Sequence, residues 1–169
     1  MSGHSKWSQI KRKKALTDKK RGQIFSKLSR AITLAARKGA DPKTNLELAR
    51  AMEKARIENV PNENIERAVK KISEKNSNQL EELAIEALAS SNIALKIRAI
   101  TDNRNRTLAE IKKILADFGV KMVQPGSLQW LFGQPPITLQ DPAAQEQIEK
   151  LFEALDDQDD VEDVVSNLE

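Results

Sequence analysis

The spacing of apolar residues changes at one polar stretch, residues 74–79, and this change most constrains what the chain can fold into. Before the stretch, apolar residues recur at intervals of three and four, which is the period of an amphipathic helix. After it, residues 83, 85 and 87 alternate with their neighbours, as do residues 93, 95 and 97, which is the period of a β-strand. The sequence therefore predicts an α+β fold.

Three short helices are predicted ahead of the polar stretch, and together they form a three-helix bundle over residues 23–75. The first runs over residues 23–38 and ends at Gly39. The second covers residues 45–58, and the third follows Pro61, a residue favoured in the first turn of a helix.

An antiparallel sheet with helices on one face is predicted for the second part of the chain, residues 80–132 with 141–169. It is expected to hold two hairpins, one helix after each, and a last strand. The two hairpins are joined by a helix that follows Asp102 and Asn103 and ends at Gly119. The remaining elements are strands at 120–124 and 128–132, a Pro-rich tether at 133–140, a helix from Asp141 with Leu151 and Phe152 buried, and a strand with Val161, Val164 and Val165.

The net charge of +3 conceals an uneven distribution along the chain. Residues 1–38 hold twelve Lys and Arg but one acid, whereas residues 137–169 hold one Lys and eleven acids. Residues 1–22 contain too few apolar side chains to bury a helix face, so they are predicted to be a basic, mobile arm. The two ends are expected to prefer different partners: nucleic acid at the basic end, and a basic protein at the acidic C-terminal helix.

Cations of the arm and of the first helix are the predicted nucleic-acid-binding residues, because they neutralise phosphates and release counterions. Trp7 is predicted to stack on an unpaired base or to wedge at a groove, and Trp130 and Phe132 to belong to the core. Two arginines beside the predicted helix cap are candidates for binding phosphate or a neighbouring carboxylate. A solvated basic tail and an ordinary charged helix face are the alternatives. The predicted site residues are Lys6, Trp7, Lys11, Arg12, Lys13, Lys14, Lys19, Lys20, Arg21, Lys27, Arg30, Arg104 and Arg106.

Catalysis and metal binding lack the residues they need. His4 is the only histidine, so a Ser-His-Asp triad would have to be built on the arm. The absence of cysteine removes thiolate metal sites and fits a reducing compartment. Residues 156–163 lack the glycine of a calcium loop and are predicted to be a solvated acidic end. We predict a non-enzymatic cytoplasmic protein with no metal, no cofactor, no small-molecule substrate and no membrane partner.

Five sequence blocks resemble the YebC/PmpR family of probable transcriptional regulators. They are SGHSKWSQIK at 2–11, KKRGQIFSKL at 19–28, VPNENIERAVKK at 60–71, TDNRNRT at 101–107 and GSLQWLF at 126–132. The resemblance implies a regulator of gene expression, either a DNA-binding transcriptional regulator or a ribosome-associated translation factor that binds ribosomal RNA through the same basic surface. It also implies a short form, because typical members carry an inserted outer α/β lobe where residues 133–140 stand here.

Overall fold

The structure is a computed structural model that describes residues 6–7, 9–10, 16–73 and 79–169. It divides into two compact units. The helical unit consists of Leu16–Glu81 with Ile100–Asn103. The sheet unit consists of Glu82–Ala99 and Arg104–Glu169, and it also includes Trp7 and Ile10 near the start of the chain. Within the described residues, no helix is both long and apolar enough to cross a membrane.

The helical unit contains the three predicted helices. They are α1 (Asp18–Ala36), α2 (Leu46–Ile57) and α3 (Asn62–Lys70), with a 3-10 turn at Lys71–Ser73. The hydroxyl of Thr17 caps α1 by accepting a hydrogen bond from the backbone N–H of Lys20 at 3.2 Å. Leu28, Ile32 and Leu48 lie in the common core. Because α1 begins at Asp18, the last residues of the predicted arm are helical, and the predicted arm boundary at residue 22 is wrong.

The sheet unit contains a four-stranded antiparallel sheet in the order β3-β1-β2-β4. Its strands are β1 (Glu81–Ala89), β2 (Ile93–Thr101), β3 (Lys121–Val123) and β4 (Val161–Ser166), and its helices are α4 (Arg104–Asp117), α5 (Gln129–Phe132) and α6 (Pro142–Asp157). The first hairpin, β1 with β2, and the last strand, β4, are therefore present as predicted. In the register, Ala87 pairs with Met122, and Ile97 pairs with Val164.

Helices α4 and α6 contribute to one apolar core with the sheet. Helix α6 begins where the sequence predicts, because the carboxylate of Asp141 accepts a hydrogen bond from the N–H of Ala143 at 3.2 Å. Its predicted buried residues, Leu151 and Phe152, are in the core. Helix α4 ends before Gly119, whose φ of +67° is the left-handed conformation that glycine adopts without strain.

The predicted strand at residues 128–132 is wrong, because this segment forms the one-turn helix α5. Leu128 and Leu131 are both buried against Ala94, and a spacing of three places two residues on one face of a helix but on opposite faces of a strand. The backbone N–H of Leu128 also donates a hydrogen bond to the buried carboxylate of Glu86 at 3.2 Å. Strand β3 consequently pairs with β1, and the predicted second hairpin does not form.

Trp130, which is predicted to belong to the core, is 62% exposed, and that prediction is wrong. The indole of Trp130 lies on the exposed side of helix α5, because Leu128 and Leu131 occupy the buried side of this turn. Phe132 is half-buried, and its ring lies 4.4 Å below the ammonium nitrogen of Lys96.

The predicted Pro-rich tether at residues 133–140 is attached to the end of the chain. The N–H of Ile137 donates to the carbonyl oxygen of Asn167 at 2.8 Å, and the N–H of Glu169 donates to the carbonyl oxygen of Ile137 at 3.0 Å. Ile137 thereby forms an isolated parallel bridge with Leu168. These bonds fix the path of the chain between α5 and α6.

Candidate nucleic-acid interface

Charge is distributed unevenly between the main parts of the two units. Residues 16–73 of the helical unit carry fourteen Lys and Arg and seven Asp and Glu. Residues 82–99 and 104–169 of the sheet unit carry eight Lys and Arg and fifteen Asp and Glu. Residues 16–73 therefore carry a surplus of seven positive charges, and residues 82–99 with 104–169 carry a surplus of seven negative charges. Of these two parts of the chain, residues 16–73 are the part suited to a phosphate backbone.

Trp7 lies in the core of the sheet unit and not on a free arm. Its side chain is 4% exposed, and its ring packs edge-to-face on Phe152 with 5.7 Å between the ring centroids. Ile10 is buried in the same cluster. The prediction that Trp7 stacks on a base is therefore wrong, because its ring is already enclosed. The spacing of three between Trp7 and Ile10 is the sequence signal that was missed.

Of the other predicted cations in residues 1–14, the structure describes one, Lys6. Lys6 is half-buried. The four consecutive cations Lys11, Arg12, Lys13 and Lys14 lie outside the described residues, as does His4. Their role in binding stays a prediction from the sequence.

The first turn of α1 presents the cations of the predicted site that the structure describes most fully. Lys19 is exposed, and the ammonium of Lys20 donates to the side-chain oxygen of Gln23 at 3.1 Å. The guanidinium of Arg21 lies 3.3 Å from the carboxylate of Asp18, and both side chains are exposed. Exposed pairs of this kind are weak, so Arg21 remains available to a stronger anion.

Further along α1, the cations do not form a continuous exposed face. Lys27 is only 7% exposed, so its predicted place on the binding surface is wrong, and Arg30 is half-buried. The guanidinium of Arg37 donates to the carbonyl oxygen of Leu80, and the ammonium of Lys38 binds the carboxylate of Glu47 at 2.7 Å. Helical spacing places these cations near one face, but burial and local partners leave the first turn as the main exposed part.

Exposed cations also gather at the end of α3. Arg67 and Lys70 lie in its last turn, and Lys71 begins the 3-10 turn that follows. Cations at a helix C-terminus are favoured by the helix dipole. All three side chains are exposed to solvent.

In the sheet unit, Arg106 binds a neighbouring carboxylate, which is one of the two kinds of partner predicted for it, the other being phosphate. Its guanidinium lies 3.0 Å from the carboxylate of Asp160, and the hydroxyl of Thr107 donates to the same oxygen at 2.6 Å. Arg104, two residues earlier, is exposed.

The predicted solvated acidic end is wrong for Asp160, which is 1% exposed, and for Glu162, which is also buried. The side-chain oxygen of Gln158 accepts hydrogen bonds from the N–H groups of Asp160 and Val161 at 2.7 and 2.9 Å. This turn directs Asp160 inward to Arg106, where a buried carboxylate has the partners it needs. The turn also starts strand β4.

Replacing Thr107 with Val is expected to destabilise the fold by about 1–3 kcal/mol, because it removes a donor from a buried carboxylate without changing the side-chain shape. The measurement is urea unfolding followed by circular dichroism. Thr138→Val is the matched control, because the hydroxyl of Thr138 bonds Glu169 at the exposed surface. An equal, small cost for both variants would contradict a supporting role for the Asp160 cluster.

Other ion pairs of the sheet unit are closer to solvent. On α6, the Lys150 ammonium is hydrogen-bonded to Glu146 at 2.6 Å, and it lowers the pKa of that carboxyl below its usual value. On β2, burial lowers the pKa of Arg98, but the hydrogen bond and charge of Glu82 outweigh it and leave the pKa raised. Among the described residues, no three His, Asp or Glu side chains are grouped so as to hold a metal ion.

Comparison with known proteins assigns the chain to a family. Residues 5–75 match the TACO1/YebC protein N-terminal domain, and residues 80–137 match the TACO1/YebC second and third domain. A solved structure of a conserved hypothetical protein from Aquifex aeolicus superposes with a TM-score of 0.79 at 28% identity, covering 92% of this chain and 93% of that one.

Relatives named "probable transcriptional regulatory protein" match at higher identity. One from Desulforamulus reducens is 46% identical over 143 residues, which are 83% of this chain and 59% of the relative. One from Finegoldia magna is 42% identical over 158 residues, which are 92% of this chain and 66% of the relative. The chain thus spans about three fifths to two thirds of the length of these relatives. With both domain matches in order along the sequence, the chain belongs to the TACO1/YebC family.

Proposed function

We propose that this protein is a non-enzymatic regulator of gene expression that binds nucleic acid through its basic helical unit, and that its target is DNA. The observation that carries the proposal is the surplus of seven positive charges on residues 16–73, set against a surplus of seven negative charges on residues 82–99 and 104–169. Relatives named as probable transcriptional regulatory proteins support the same role. Phosphate neutralisation is the chemistry that such a surface offers.

The first turn of α1 supports binding because its charges do not help the helix. Lys19, Lys20 and Arg21 stand at the N-terminus, where the helix dipole is positive and repels cations. Asp18 offsets this only in part, since it is one acid beside three cations. Stability alone therefore gives no reason for the cluster, whereas a phosphate backbone bound at this end would have three cations and the helix dipole to meet it.

The proposed mode of binding is contact with the backbone of the nucleic acid. Cations position a protein on phosphates but carry no sequence information. Trp7, the residue predicted to stack on a base, is buried against Phe152. Affinity should therefore depend strongly on salt and weakly on sequence.

The same observation favours a second candidate, a ribosome-associated translation factor that binds ribosomal RNA. Double-stranded RNA is recognised mainly by its shape and its phosphates, because side chains cannot read its deep major groove. A surface of cations can bind the phosphates of double-stranded RNA as well as those of duplex DNA. The predicted site has no exposed aromatic residue that would favour one of the two. The two targets are therefore separated by experiment.

The experiment is to fractionate a lysate on a density gradient with and without ribonuclease, and to sequence the nucleic acid crosslinked to the protein. For the DNA target, we expect crosslinked DNA and sedimentation that ribonuclease does not change. For the translation factor, the protein should sediment with ribosomal particles until ribonuclease releases it, and the crosslinks should map to ribosomal RNA. Crosslinks to neither nucleic acid would contradict both candidates.

A further inference from the structure

Helix α2 carries a stripe of four solvent-facing residues, Leu46, Arg50, Glu53 and Ile57, which we call the α2 stripe. The spacing of four, three and four keeps them within about 60° of the helix circumference. Leu46 is 64% exposed and Ile57 is 70% exposed, which makes them the two most exposed large apolar residues among those described.

The stripe faces away from the core of its own unit. Leu48 and Ala55, on the opposite side of α2, are the residues of this helix that are buried in the bundle. Arg50 is exposed, and Glu53 lies 3.6 Å from Arg56 in an exposed pair within the same helix. Such a pair is easily exchanged for another. Two apolar ends and two opposite charges are therefore available for a partner.

The order of these residues is complementary to itself when reversed. In an antiparallel pair of α2 helices, Leu46 meets the partner's Ile57, and Arg50 meets the partner's Glu53. The two-fold axis repeats both contacts, so apolar groups meet at both ends and opposite charges meet in the middle. A parallel pair would instead place Arg50 against the partner's Arg50 and Glu53 against the partner's Glu53, and like charges at a helix seam disfavour that orientation.

We propose that the α2 stripe is a self-association surface, through which two copies of this chain pair with antiparallel α2 helices. A two-fold interface needs one patch that complements itself, and the stripe meets this condition in both apolar and charged positions. The spacing of four, three and four is also that of a helix seam in which side chains of facing helices interdigitate.

The pairing is weak. Two helices of three turns bury much less than the roughly 1,200 Å² of a stable interface, so we expect a dissociation constant on the order of 0.1–1 mM. The polar residues in the middle of the seam fix its orientation at a cost in affinity.

The first test is charge exchange, followed by sedimentation velocity without nucleic acid at about 0.5 mM protein, near the expected dissociation constant. Arg50→Glu and Glu53→Arg should each abolish the concentration-dependent dimer, because each places like charges in the middle of the seam. An equimolar mixture of the two variants should restore it, because one chain then presents two carboxylates at the middle of its stripe and the other presents two guanidinium groups. The matched controls are Glu63→Arg and Arg67→Glu, which exchange exposed charges on α3.

The second test uses the absence of cysteine, which makes introduced thiols unambiguous. Leu46→Cys and Ile57→Cys variants, mixed and oxidised, should give heterodimers in excess over either homodimer. The antiparallel pair brings residue 46 near the partner's residue 57, whereas two copies of residue 46 lie about 16 Å apart, beyond the ~7 Å that a disulfide spans.

Two results would overturn the proposal. Equal yields of all disulfide dimers, or none, together with no rescue in the mixture, would show that the stripes do not pair. If Arg50→Glu instead lowered affinity for DNA or RNA and left sedimentation unchanged, the stripe would belong to a phosphate-binding surface. Because sedimentation is measured without nucleic acid, its outcome does not depend on the proposed function.

Discussion

Replacing Phe152 with Ala is expected to destabilise the protein by about 3–5 kcal/mol, the range for removing a large aromatic side chain from a packed core. Phe152 is fully buried on α6, and its ring is the surface on which Trp7 packs edge-to-face. The substitution therefore leaves a cavity and also removes the partner of Trp7. Urea unfolding followed by tryptophan fluorescence measures the effect, because Trp7 passes from the core to solvent.

Trp130→Ala is the control for this experiment. Trp130 is exposed on α5, so its removal is expected to change the free energy of unfolding by less than about 0.5 kcal/mol. In both variants the dependence of the free energy on urea should stay the same, since the surface exposed on unfolding hardly changes. A cost for Phe152→Ala as small as that for Trp130→Ala would mean that α6 does not form part of the core.

The elements that the sequence predicts well are those whose signals are local. Helix α6 has a capping Asp141, a proline at its first position and an apolar stripe, and each of these acts within one or two turns. The predicted start of α1 lies five residues late, because its cap, Thr17, stands within a charged segment that is typical of a mobile arm. The alternation in β1 and β2 likewise depends only on which side chains point to the core.

The elements predicted wrongly depend on contacts between distant residues. A short apolar run such as residues 128–132 suits a strand or a helical turn equally, and the buried acceptor on Glu86 decides between them. The two tryptophans are predicted wrongly for the same reason, since Trp7 is buried and Trp130 is exposed. Nothing in the sequence near Trp7 shows that Phe152 lies against it.

For the candidate site, the sequence identifies the charges but not their surroundings. Lys27 and Asp160 are both predicted to be solvated, since charged side chains usually are. Asp160 is buried because Arg106 and Thr107, more than fifty residues away in sequence, supply its partners. The solvent exposure of the α1 cations is therefore seen only in the structure, whereas the net positive charge of this region is visible in the sequence alone.

Replacing Lys19, Lys20 and Arg21 together with Ala is expected to weaken nucleic-acid binding and to flatten its dependence on salt. Each phosphate contact contributes about 0.7–0.9 to the slope of log affinity against log salt, so three lost contacts should reduce the slope by roughly 2–3. At ~50 mM salt the affinity should fall by about an order of magnitude or more. Fluorescence anisotropy with a DNA duplex and an RNA duplex, each over a series of salt concentrations, gives both quantities.

The control removes three positive charges from the acidic part of the sheet unit, residues 82–99 with 104–169. Lys112, Lys113 and Lys121 are exposed on α4 and β3, and their replacement with Ala should leave the salt slope within error of the parent protein. The α1 variant should also melt at the same temperature as the parent or slightly higher, because cations at a helix N-terminus oppose the dipole. A variant of Lys11, Arg12, Lys13 and Lys14 to Ala extends the series to the predicted arm, with an expected loss of roughly 3–4 in slope. An equal reduction of the slope in the α1 variant and in its control would show that net charge, and not the first turn of α1, governs binding.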